Sequence, residues 1–163
     1  MFMPAWGLGM GAGVLAGQNL GARQPERAAR SGWLAAGFFS GIMVVCSVAI
    51  FLWAEYIVRV FSPDPALVAL TAPFLRIACA GYLVNGLSSV LQQCISGVGD
   101  TVLPMVVSIV SLWGVQMPLA YFLSRFTDLG VYGVRWGLVA GIVTAAIAYT
   151  IYFKLGRWKR KKV

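Results

Sequence analysis

Histidine is absent from this 163-residue chain, and only five residues are acidic against 13 lysines and arginines. The three cysteines, Cys46, Cys79 and Cys94, form no Cys-x-x-Cys pair. Without histidine or paired cysteine a zinc site has no ligand set. No nucleophile–base pair and no Gly-Lys-Ser/Thr phosphate cradle is present, so neither enzyme chemistry nor a resident cofactor is expected. The amino terminus lacks the basic start and small-residue cleavage site of a secretory signal, so no processing is expected. Charge of either sign makes up 11% of the chain. That is too little to clothe the outer helix faces of a soluble domain.

What remains is apolar. Hydrophobic residues make up 60% of the chain, and mean hydropathy is +0.81. Runs such as 32–54 and 101–124 exceed the roughly 18 to 20 apolar residues that a helix needs to cross a bilayer. Hydrocarbon offers no partner for backbone amides, which favours helices as the spanning form. The expected fold is all-α, a polytopic transmembrane helix bundle with about four full spans and a short or partial glycine-rich first span. The expected segments are about 1–20, 31–54, 66–96, 102–123 and 132–155. Gly9, Gly13, Gly17 and Gly21 recur every fourth residue, as do Gly133, Gly137 and Gly141. Each ladder lets a neighbouring backbone approach closely. The cysteines lie in apolar stretches and read as packing residues.

The net charge of +8 resembles a nucleic-acid signal until its distribution is read. Lys154, Arg157, Lys159, Arg160, Lys161 and Lys162 crowd the carboxyl end and leave the remainder nearly balanced. Residues 154–163 read as a basic cytoplasmic tail facing anionic membrane lipid, and nucleic-acid binding is not expected. The loops 23–30 and 97–101 fall on the side of the tail. An excess of lysine and arginine makes that side cytoplasmic.

Two strings stand out. The first is Gly17-Gln18-Asn19-Leu20-Gly21-Ala22-Arg23-Gln24-Pro25-Glu26-Arg27-Ala28, and the second is Ser96-Gly97-Val98-Gly99-Asp100-Thr101, followed by Pro104. Turn chemistry alone accounts for much of both. Gly21 can end one helix, Pro25 can begin the next with Glu26 at its positive end, and Asp100 can cap the helix after it. Together they resemble the conserved loops of the multidrug and toxic compound extrusion (MATE) transporters, although Ser96 stands where an arginine is common. The resemblance covers essentially the whole chain. It implies the second half of a two-lobe transporter, from late helix eight to helix twelve, with the amino-terminal lobe lying outside this sequence. It further implies an antiporter in a bacterial inner membrane, coupled to sodium or protons and exporting small amphipathic, often cationic compounds.

Polar groups inside the spans mark the candidate ion or substrate cavity. Asn85, Ser88, Ser89 and Gln92 share one helical stripe, and Gln116 and Tyr121 are candidates to extend it. Interhelical hydrogen bonding explains such a stripe equally well. By the resemblance, Asn85 falls where sodium-coupled members often carry aspartate, which puts coupling through this helix in doubt. Arg76 reads as an anchor snorkelling to the outer interface, and Trp113, Tyr121 and Phe122 as stacking surfaces for flat cations or as belt residues. Two other readings remain: a flippase for a lipid-linked substrate, and a small non-transporting protein that assembles through its glycine faces.

Overall fold

The computed structural model describes residues 2–61 and 64–160. Among them every regular element is helical: α1 (Phe2–Gly21), α2 (Pro25–Phe61), α3 (Pro65–Gly97), α4 (Val102–Ile109), a π-helical stretch (Val110–Gln116), α5 (Met117–Phe126), α6 (Val131–Leu155) and a 3₁₀ turn (Arg157–Arg160). The run Val102–Phe126 is one continuous rod. Among the described residues four helices are long and apolar enough to span a membrane: α2, α3, this rod and α6.

α3 is the hub, packing on α1, α2 and α6, while α6 also carries α5 and the π stretch. The core mixes small, aliphatic and aromatic side chains, with Ala16, Ala28, Ala36, Phe39, Leu91, Cys94, Ile95 and Phe153 buried. The outside is as apolar as the inside. Leu34, Phe38, Val45 and Leu52 run along one exposed face of α2, more apolar surface than a water-soluble monomer leaves open. Lipid is the solvent that suits it, and the chain is an integral membrane protein.

Both glycine ladders find their partners within the chain. A Cβ on Gly13 would lie 2.6 Å from the Gln93 carbonyl oxygen, and one on Gly17 would lie 2.6 Å from that of Gly97. On α6, a Cβ at Gly133 would meet the Leu123 backbone and one at Gly137 the Ala120 backbone, while Gly141 faces Gln116. Gly21 departs from the expected ladder, since nothing lies within 4 Å of it.

Two features differ from the expected segments. α2 starts at Pro25, taking in most of the polar stretch before its apolar run, and it continues past Ala54 to Phe61 through a kink at Trp53 (φ −104°, ψ 20°). The fourth span widens into a π-helix before Pro118. Pro118 has no N–H for the Gly114 carbonyl, and its ring crowds that position. The Met117 N–H reaches Leu112 O instead, and the wider turn absorbs the mismatch. Pro73 leaves α3 as one helix.

Candidate functional site

The two strings meet at one end of the bundle, called here the motif end. Each forms the same kind of helix terminus. At the end of α1, the Gln24 N–H donates to Asn19 O (2.8 Å) and the Arg23 N–H to Leu20 O (2.9 Å). At the end of α3, the Asp100 N–H donates to Ile95 O (3.2 Å) and the Gly99 N–H to Ser96 O (3.0 Å). Both are six-to-one, five-to-two terminations, with a left-handed residue closing each turn. That residue is Gly99 (φ 82°) in one and Arg23 (φ 59°) in the other. Gly21 ends α1 as expected, and the left-handed position two residues on belongs to Arg23. Pro25 opens α2, and the Ala28 N–H donates to Gln24 O.

Asp100 has a role beyond the expected cap. Thr101 takes the N-cap position of α4 without a side-chain capping bond. The Asp100 carboxylate is buried and accepts a hydrogen bond from the Tyr152 hydroxyl of α6 at 2.5 Å. Pro104 is also buried, its carbonyl accepting from the Tyr149 hydroxyl at 3.4 Å. The start of the basic tail also turns inward. Gly156 adopts a left-handed conformation (φ 67°). Trp158 is then fully buried, stacks on Phe153 at 4.6 Å, and donates its indole N–H to Phe153 O at 3.0 Å. Lys159 pairs with Glu26 at 2.8 Å. Lys161 and Lys162 lie outside the described residues.

Within the polar stripe, Asn85, Ser88 and Ser89 bond to one another. Ser88 Oγ donates to Asn85 O (3.1 Å), and Ser89 Oγ donates to Asn85 Oδ1 (3.5 Å). Ser88 is buried, whereas Asn85, Ser89 and Gln92 are partly buried. Gln116 and Tyr121 are not brought onto this stripe. Gln116 lies against Gly141 of α6, and Tyr121 is exposed, its ring edge-on to Phe126. Trp113 and Phe122 are exposed as well. Among the described residues no cluster of acidic, cysteine or histidine side chains has metal-ligand geometry.

At the other end, called distal, a cavity of about 530 Å³ opens between α2 and α3, lined by Glu55, Arg59, Val68, Ala72, Pro73 and Arg76. Arg76 Nη2 lies 3.1 Å from Glu55 Oε1, and the guanidinium sits 5.8 Å from the centre of the Phe51 ring. Sequence reasoning placed Arg76 near an interface but missed its partner. The signal available was a lone acid and a lone base, each one membrane thickness from the motif end.

Comparison with known proteins agrees with this geometry. The MatE family model matches residues 1–122. A probable multidrug resistance protein NorM of Thermotoga maritima is 26% identical over 99% of the chain, which covers 35% of that protein. The multidrug resistance protein NorM of Burkholderia vietnamiensis is 31% identical over 94% of the chain, which covers 34% of it. The chain thus spans about a third of the length of these relatives. An inward-facing multidrug resistance MATE transporter of the MOP superfamily superposes with a TM-score of 0.86 at 20% identity, over 94% of this chain and 36% of that one. The family-model match over residues 1–122 makes this chain a member of the MATE family.

Proposed function

We propose that the chain forms part of the carboxyl-terminal lobe of a cation-coupled antiporter that exports amphipathic, often cationic compounds. The observation that carries this reading is the pairing of the two family strings, backbone against backbone, at the motif end. Such a rigid joint suits a lobe that rocks as one body against another. The partner is the amino-terminal lobe, and the surrounding solvent is membrane lipid. Positive-inside bias favours a cytoplasmic motif end and carboxyl terminus in a bacterial inner membrane.

Sodium or protons are the proposed coupling ions. On the α3 stripe, Asn85 supplies a carbonyl oxygen but neither a negative charge nor a proton to exchange near neutral pH. Glu55 and Asp100 lie towards the two ends of the spans, so the coupling carboxylate is proposed to belong to the other lobe. The glycine faces are filled within the chain, which weighs against self-assembly through them. Arg76 lies at the distal end beside Glu55 and not at mid-span, which weighs against a cationic central cavity of the kind a flippase would use. No enzymatic step is proposed.

Right-side-out vesicles loaded with a fluorescent cation and carrying the complete gene product should extrude the dye when an inward sodium or proton gradient is applied. Dye retention equal to that of empty vesicles under both gradients would contradict the proposal. Efflux should persist in Asn85→Ala. Its loss at normal membrane abundance would move coupling onto α3.

A further inference from the structure

We infer that the distal cavity between α2 and α3 holds the phosphate of a phospholipid headgroup through Arg59 and Arg76. The cavity brings together two guanidiniums and one carboxylate on a wall of small and apolar residues. Its lining is therefore net positive. Arginine's planar fork matches phosphate oxygens. Arg76 uses one terminal nitrogen on Glu55, and its side chain remains 39% exposed. Arg59 is exposed and makes no ion pair among the described residues. The nearby Asp64 is engaged with its own helix, its carboxylate accepting from the Ala66 N–H at 2.9 Å.

The level of the cavity argues for lipid over a soluble anion. From Gly97 to Arg76, α3 rises about 31 Å, and from Gly32 to Glu55, α2 rises about 35 Å before allowance for its kink. Both distances are about one hydrocarbon thickness. The Glu55–Arg76 pair therefore sits where headgroups begin, with Arg59 just beyond it. Trp53 and Tyr56, both exposed at this level, are aromatic belt residues by type and position. Phe51 and Leu52, also exposed, continue the surface downward as a path for acyl chains. A free phosphate would find the two cations but no use for that apolar approach.

Native mass spectrometry of the full chain in detergent tests this without any transport assay, so its outcome is independent of the proposed antiport. Phosphatidylglycerol should remain as a bound adduct. Arg59→Gln, an exposed substitution that leaves helix packing intact, should lower its occupancy about fivefold, the effect of one basic contact to an anionic headgroup. Arg76→Gln should do likewise. Glu55→Gln, which frees the Arg76 guanidinium, should bind at least as well as the parent. Equal occupancy in Arg59→Gln, with an unchanged thermal melt, would overturn the inference. So would equal retention of diacylglycerol, which lacks phosphate. Displacement of the lipid by an equal concentration of inorganic phosphate would assign the cavity to a soluble anion and also overturn it.

Discussion

The two ends of the bundle are joined by different means. At the motif end α1 and α3 touch through main chain, with Gly13, Gly17 and Gly97 leaving no room for a Cβ. A fully buried Trp158 and the Asp100–Tyr152 bond tie α6 to the same end. At the distal end α2 and α3 are linked by side chains, a half-exposed ion pair beside an open cavity together with the buried Ala54, Val58, Val68 and Ala72. Main-chain contacts have no rotamers with which to yield, whereas charged side chains swing and exchange partners. One end is therefore a fixed joint and the other an adjustable one, so equal chemical changes should have unequal effects.

The largest effect is expected at the joint. Gly97→Ala drives a Cβ into the Gly13 backbone, and overpacking of this kind costs about 3 kcal/mol where neither side can shift. Gly21→Ala, with open space around it, should be neutral or stabilising by up to about 1 kcal/mol. Thermal unfolding of the two variants in detergent would separate them, and equal melting temperatures would break the comparison.

Next comes Tyr152→Phe, which strips a buried carboxylate of a hydrogen-bond donor and should cost about 2 kcal/mol. A smaller effect, of opposite sign at two equivalent positions, is expected in the paired turns. Gly99→Ala should lose about 1 to 2 kcal/mol, because a side chain resists the left-handed conformation. Arg23→Gly should gain up to about 1 kcal/mol, less the added entropy of the unfolded chain. Chemical denaturation would read both, and a common sign would contradict the equivalence of the turns.

The smallest effect belongs to the distal pair. Glu55→Gln should change stability by about 0.5 kcal/mol or less, because half-exposed ion pairs contribute little, and that change should shrink further in high salt. A loss as large as that of Tyr152→Phe would mean that the distal end is no looser than the motif end.

Much of this architecture was legible in residue spacing. Apolar runs gave the spans, and the fourfold glycine recurrence marked faces that needed a close neighbour. The spacing did not say which neighbour. Gly21 keeps the rhythm of its ladder yet touches nothing, because α3 ends at Gly97 opposite Gly13 and Gly17. The kink at Trp53 was not legible either, since no glycine or proline lies between Gly41 and Pro63. Contacts between distant residues were the least accessible. Asp100 and Tyr152 are 52 positions apart, and a local rule assigned Asp100 to capping. Similarly, the basic character of the tail concealed Trp158, whose burial depends on a left-handed Gly156. The candidate cavity was read from polar residues on separate helices. α6 lies against Gln116, and no pattern within the fourth span announces that.

The claim beneath these comparisons is that the family strings act as a packed joint. Thermal stability and gradient-driven efflux measured side by side on Gly97→Ala address it most directly. The account predicts that folded protein and efflux fall together, with the residual folded fraction transporting at the parental rate per molecule. A variant that melts like the parent and reaches the membrane in normal amount, yet carries no dye, would contradict it.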